Sequence, residues 1–206
     1  PGQTYYVRVY DYYSGSPASS TFSICAQSYS PPPPTTQDCL GAIPVCASTY
    51  STAISYSGEG AFGNEIGTSC LGSGELNDVW YQFTVQNAGK LCFIIDPNTN
   101  GNDYDWAEYD LTTANCSDIY SGAAPEIVCN YSAQVAFATT APSWATSTKG
   151  NTGALPGGTY NTGDAQLEDC PTVSAGETFV LNISNFSSTA AGFTLYFPPP
   201  GTAGMA

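Results

Sequence analysis

Residues 78–96 read DVWYQFTVQNAGKLCFIID. Val79, Tyr81, Phe83 and Val85 recur with period two, the spacing that puts side chains on one face of a strand. Ala88 and Gly89 then supply a tight turn into KLCFIID, so the stretch predicts a β-hairpin. The same chemistry marks STAISYS (51–57), DWAEYDL (105–111) and EIVCNYS (126–132), which are rich in β-branched and aromatic residues and separated by Gly, Asn, Pro and Ser clusters. No segment carries a helical period of useful length. Residues 139–170 are the least regular and read as a long surface loop. The expectation is an all-β chain: an antiparallel β-sandwich with jelly-roll-like connections.

The chain also echoes itself. PGQTYYVRVYDYY (1–13) aligns with AGETFVLNISNFS (175–187), Gly2 with Gly176, Thr4 with Thr178, Val7 with Leu181 and Val9 with Ile183. A second strand follows each copy, TFSIC (21–25) and FTLYF (193–197), and a proline run follows each of those. Both copies read as half-buried hairpins. The layout this predicts is a terminal hairpin of a preceding or neighbouring module at 1–30 and a stiff polyproline linker at 31–37. One β-sandwich module follows at 38–197, and the next linker begins at 198–206. On this reading the chain is a piece of a longer protein built from modules of this kind, and the leading hairpin either belongs to the previous module or completes a neighbour's sheet.

Composition narrows the function. Of 206 residues, 17 are Asp or Glu and 3 are Lys or Arg, a net charge of −14. That balance argues against nucleic acid or an anionic membrane as partner and favours cations. No apolar run approaches the ~20 residues of a membrane span. The 8 cysteines stand in a chain with no His and no CxxC pair, so disulfides in an oxidising compartment outweigh thiolate metal ligation. Cys25, Cys39, Cys46, Cys70, Cys92, Cys116, Cys129 and Cys170 are all candidates. Cys39 with Cys46 is the short local option, and Cys116 with Cys129 joins adjacent strands; Cys25 has Tyr196 at its echo position, so its partner is sought in a preceding module.

One stretch invites a metal. DPNTNGNDYDWAEYD (96–110) opens like an EF-hand loop, but Ala107 stands where the bidentate Glu belongs and strands flank it, so an EF-hand is excluded. Two readings stay open. Asp96, Asn98, Asn100, Asp103 and Asp105 form a calcium site on a β-loop, with Glu75 and Asp78 as further candidates, or they form an Asx-rich turn bonded to its own backbone. Calcium is the only cofactor in view. Nothing in the sequence marks one carboxylate as buried and another as free, as a glycosidase pair requires. Without His, a Ser or Cys nucleophile lacks its usual base. No catalytic residue is assigned. Trp144, in the loop APSWATS, is the candidate for stacking on a glycan.

The ordered set DCLGAIPVCASTY (38–50), SCLGSGELNDVWYQFT (69–84), GKLCFIIDP (89–97), DYDWAEYDL (103–111), IVCNYS (127–132) and GETFVLNISNFS (176–187) resembles the β-sandwich modules repeated in giant type IX-secreted surface proteins of Bacteroidota. These are similar to pre-peptidase C-terminal domains. The chain departs from them at Glu108, where such modules usually carry a leucine. The resemblance implies a non-enzymatic structural or adhesive repeat of a long extracellular, cell-surface protein or filament, sometimes calcium-binding. Its partners would be copies of itself or sister modules, and surface glycans. The alternatives are an accessory domain of a secreted hydrolase and a glycan-binding module.

Overall fold

The computed structural model describes residues 6–9, 32–72, 74–99, 101–132, 152–156 and 167–198. The chain divides into two units, Pro1–Pro31 and Pro32–Ala206, and all that follows concerns the second. Its strands, in chain order, are β1 (Ile43–Pro44), β2 (Thr49–Ser51), β3 (Val79–Thr84), β4 (Gly89–Lys90), β5 (Phe93–Pro97) and β6 (Tyr104–Asp110), followed by the single-turn helix α1 (Cys116–Ile119). After these come β7 (Glu126–Asn130), β8 (Thr152–Ala154), β9 (Leu167–Glu168), β10 (Thr172–Val173), β11 (Thr178–Asn185) and β12 (Phe193–Tyr196). A 3-10 turn at Cys39–Gly41 precedes β1.

The chain is all-β and packs as a sandwich. One sheet runs β1-β3-β11-β6-β7, the other β2-β12-β5-β8-β9, and β10 pairs with β4 as a short ribbon. Pairing is antiparallel except for two short edge pairs, β1 with β3 and β8 with β9, which are parallel. Gly153 lets β8 approach β5. Its φ is +146°, and a Cβ there would lie 2.3 Å from the Phe93 carbonyl oxygen.

Two predicted hairpins are corrected. DVWYQFTV and KLCFIID do not pair, because β3 lies in the first sheet and β5 in the second. The turn at 88–89 instead feeds β4, which bonds to β10. The 178–196 segment does the same: β11 enters the first sheet beside β3 and β6, and β12 enters the second beside β2 and β5. The cause is that each strand has an apolar face to bury, and crossing over buries the two faces against each other. Two further expectations are corrected. The 139–170 stretch contains β8 and β9, and in 51–57 the strand Thr49–Ser51 ends early, leaving one isolated bridge from Ile54 to Ala191.

The sandwich interior holds Val79, Tyr81, Phe93, Ile95, Tyr104, Trp106, Leu181, Ile183, Phe193, Leu195 and Phe197, all buried. Phe93 meets Trp106 edge to face at 4.7 Å between ring centres, and Tyr104 meets Phe193 at 5.1 Å, the geometry aromatic quadrupoles favour. A second core lies on the other face of the first sheet: Trp80, Ala107, Tyr109, Val180, Ile66, Leu71 and Ile119. So β6 and β11 are buried on both faces, which is why their sequences carry apolar residues at both parities and not a clean alternation. No described helix is long and apolar enough to cross a membrane.

Two disulfides fix this second layer, Cys39–Cys116 and Cys70–Cys129, and a third, Cys92–Cys170, lies in the sandwich interior; they span 77, 59 and 78 residues. In chain order these six cysteines pair first with fourth, second with fifth and third with sixth, so every loop interlocks with the others. The local pairings Cys39–Cys46 and Cys116–Cys129 are therefore overturned. Cys39 points into the outer core against α1, whereas Cys46 is exposed and free. Cys129 leaves β7 on the outer face and reaches Cys70 in the covering segment. Cys25 lies outside the described residues. The bonds put the folded chain in an oxidising, non-cytoplasmic compartment.

Candidate functional site: an acidic cavity on the outer face

The segment 58–77 lies over the outer face of the first sheet and is held there by carboxylates acting as backbone acceptors. Asp38 accepts from the amides of Ala61 and Phe62, both at 2.8 Å, and from the Thr35 amide at 2.5 Å and the Thr35 hydroxyl at 2.7 Å. Although burial pushes the Asp38 carboxyl upward, these hydrogen bonds hold it below its ordinary value. Glu65 accepts from the Cys39 amide at 2.8 Å, and Glu75 accepts from the Glu65 amide. Glu75 also accepts from the Trp80 indole N–H at 2.9 Å. With three Lys and Arg in the chain, backbone and indole N–H groups serve as the donors that cations supply elsewhere.

From Glu75 a polar chain runs across the sheet. Asp78 stands just before β3 and accepts from Asn182 on β11 at 2.8 Å; Ser184 donates to Asn182 at 3.0 Å. Ser184 in turn lies opposite Asp105 of β6. Burial raises both Glu75 and Asp78, with the charge of Asp78 adding to the rise of Glu75 and that of Glu65 to the rise of Asp78, so this pair keeps a proton at neutral pH. Glu75, Asp78 and Asn182 are fully buried.

The chain ends in a cavity of about 430 Å³ lined by Cys70, Leu71, Gly72, Gly74, Leu76, Asp103, Asp105, Tyr131, Ser184 and Phe186. Asp105 is 9% exposed, and its Oδ1 has no hydrogen-bond partner among the described residues. Burial, and secondarily the charge of Asp103, pushes its carboxyl up to about 7. Asp103 is half-buried and is raised by desolvation; its amide donates to the Ser187 hydroxyl oxygen at 2.6 Å. Tyr131 and Phe186 stand at the rim, 44% and 49% exposed.

The five residues proposed for calcium are thus dispersed. Asp103 and Asp105 share the cavity, but Asp96 lies on β5 in the other sheet opposite Thr194. Asn98 follows it and donates to the Thr52 carbonyl at 2.7 Å. Asn100 lies outside the described residues, as does Trp144. Glu75 and Asp78 face the covering segment and β11. Among the described residues, the single group of three potential ligands within metal-binding reach is Cys70, Glu126 and Cys129, and its two sulfurs are already joined in a disulfide.

Sequence reading did not separate Asp105 from Asp103, nor find the cavity. The i, i+2 spacing put both on one side of the strand, but the residues that bury Asp105 come from 70–76 and 184–186. Glu108 was the legible departure. It projects into the sandwich interior between Leu181 and Val128, is fully buried, and neither of its oxygens has a partner among the described residues. Complete burial, with Asp110 secondary, raises it well above its ordinary value, so it stands in the core as a neutral acid. No family model, curated protein or solved structure matches the chain.

Proposed function

We propose that the chain is a non-catalytic, load-bearing module of a long extracellular protein, structural or adhesive in role. The observation that carries this reading is the disulfide wiring. Pulled from both ends with its bonds intact, the unit can unravel only in small part between Cys39 and Cys170. The shortest covalent path crosses to Cys116, runs back along the chain to Cys92, and crosses again to Cys170. At ~3.6 Å per extended residue that path reaches ~85 Å, whereas the reduced chain between the same ends reaches ~470 Å. A module in a surface filament needs this limit; a soluble accessory domain tethered to an enzyme does not. Single-molecule stretching of a tandem array tests it. The expected trace shows short extension steps per module that lengthen several-fold after reduction. Long steps from the oxidised protein, or unfolding at forces no higher than those of an unstapled β-sandwich, would remove the load-bearing reading.

A further inference from the structure

The cavity beside Asp105 has a chemistry that the load-bearing role does not use. Its floor is two carboxylates, Asp103 and Asp105, with the Ser184 hydroxyl between strands; its walls are Leu71 and Leu76; its rim is Tyr131 and Phe186. No lysine or arginine is among the described residues that line it. Asp105 presents an acceptor oxygen that is buried and unmet, a costly arrangement unless something supplies donors there.

We propose that this cavity receives an arginine side chain presented by a partner polypeptide, with Asp105 and Asp103 taking the guanidinium and the leucines and aromatic rim taking its stem. A guanidinium is planar, weakly hydrated and suited both to carboxylate pairing and to stacking on aromatic faces. The volume falls within the ~300–1,000 Å³ of ordinary ligand sites. A bare divalent cation fits less well. It asks for six to eight oxygens, and the walls are largely carbon. A second copy of this chain is also a poor source, since it brings 3 basic residues and a net charge of −14 to meet an equal charge.

Binding should depend on pH. Around Asp105 stand Asp103, just before its own strand, and Tyr131 beyond β7; Cys70, from the covering segment, is bonded to Cys129 and does not titrate. β11 contributes only Ser184, beyond which Asn182 leads to Asp78 and its neighbour Glu75. Every ionisable carboxyl facing Asp105 is thus itself held up by burial. A guanidinium must displace the Asp105 proton, so affinity should rise between pH 5 and pH 8.

The test titrates the peptide acetyl-Gly-Arg-Gly-amide into isotope-labelled protein at low salt and follows amide shifts by NMR. The proposal expects saturable shifts at residues 103–105, 131 and 184, with affinity lower by tenfold or more at pH 5. It also expects losses of tenfold or more in Asp105→Asn and in Asp103→Asn, with both variants retaining the wild-type spectral dispersion. The second variant keeps the test decisive if the first misfolds. Equal binding of the citrulline peptide, or unchanged binding in a folded variant, overturns the proposal. Saturable shifts at the same residues with calcium chloride and none with the arginine peptide would replace it with a metal site. None of these outcomes depends on the mechanical reading, because stapling and binding are measured separately.

Discussion

The first sheet has two faces built on different principles. Its inner face is closed mostly by carbon: Phe93, Trp106, Phe193 and Phe197 fill the gap to the opposing sheet, and the buried acids Glu108 and Glu168 intrude, the second accepting from Asn130. Its outer face is closed by covalent and polar means. Two disulfides and the backbone-accepting carboxylates Asp38, Glu65 and Glu75 hold the covering segment over a smaller apolar cluster. The inner face draws its stability from area removed from water. The outer face draws much of its own from an oxidised, partly protonated state, which makes it conditional on the medium.

The largest expected effect lies on the inner face. Phe93→Ala should cost about 4 kcal/mol, because it removes a fully buried ring in contact with Trp106 and leaves a cavity between the sheets. Chemical denaturation checks it; a loss below about 1 kcal/mol would mean that the sandwich interior is not the main source of stability. The paired change Cys70→Ala with Cys129→Ala should cost about 3 kcal/mol by releasing a 59-residue loop. Hydrogen exchange should then quicken in 58–77 while β5 and β12 stay protected. If both faces open together, the distinction between them fails.

Charge gives the next test. Folded Glu75, Asp78, Asp105 and Glu108 all hold protons more tightly than unfolded carboxyls do. Between the ordinary carboxylate range near pH 4 and the raised values, the unfolded chain binds fewer protons, so stability falls as pH rises. Asp105 alone works against the fold from about pH 4 up to about 7. The melting temperature should therefore be higher at pH 5 than at pH 8, opposite to the acid lability of proteins whose carboxylates are salt-bridged. Glu108→Leu should raise stability at pH 8 by about 2 kcal/mol and flatten this slope. A melting temperature that climbs from pH 5 to pH 8 would refute the assignment of neutral buried acids. The smallest effect belongs to the exposed surface: Lys90 and Asp169 pair at 3.2 Å with both side chains over two-fifths exposed, and Lys90→Ala should change stability by less than about 1 kcal/mol.

What could be read from sequence follows the same division. Period two in DVWYQFTV and the apolar density of KLCFIID identified strands and fold class, because local sterics and one buried face dictate them. The partner of each strand was not legible. A turn such as Ala88-Gly89 looks alike whether the chain folds back or crosses to the opposing sheet, and the choice is made by distant strands β10, β11 and β12. β8 and β9 were missed because strands of three and two residues, one of them centred on Gly153, carry no usable period. The outer cover was invisible too. Its order comes from Cys39, Cys70 and three acidic side chains meeting backbone amides far along the chain, and no local pattern records those meetings. Glu108 alone stood out, and only through the resemblance, as a charge where such modules usually carry a leucine.

The interlocked cysteine pairing also has a consequence for how the molecule is made. A chain delivered into an oxidising compartment from its N-terminus presents Cys39 together with Cys46 long before Cys116 arrives, 77 residues downstream of its partner. The nearest thiol is then the wrong one. By the time the first native bond can close, Cys46, Cys70 and Cys92 have all been exposed to oxidant. Correct assembly must therefore wait until the sheets have gathered the cysteines, or proceed through reshuffling of early errors. The exposed thiol of Cys46, free among the described residues once these three bonds are closed, is available as an attacking group for that reshuffling.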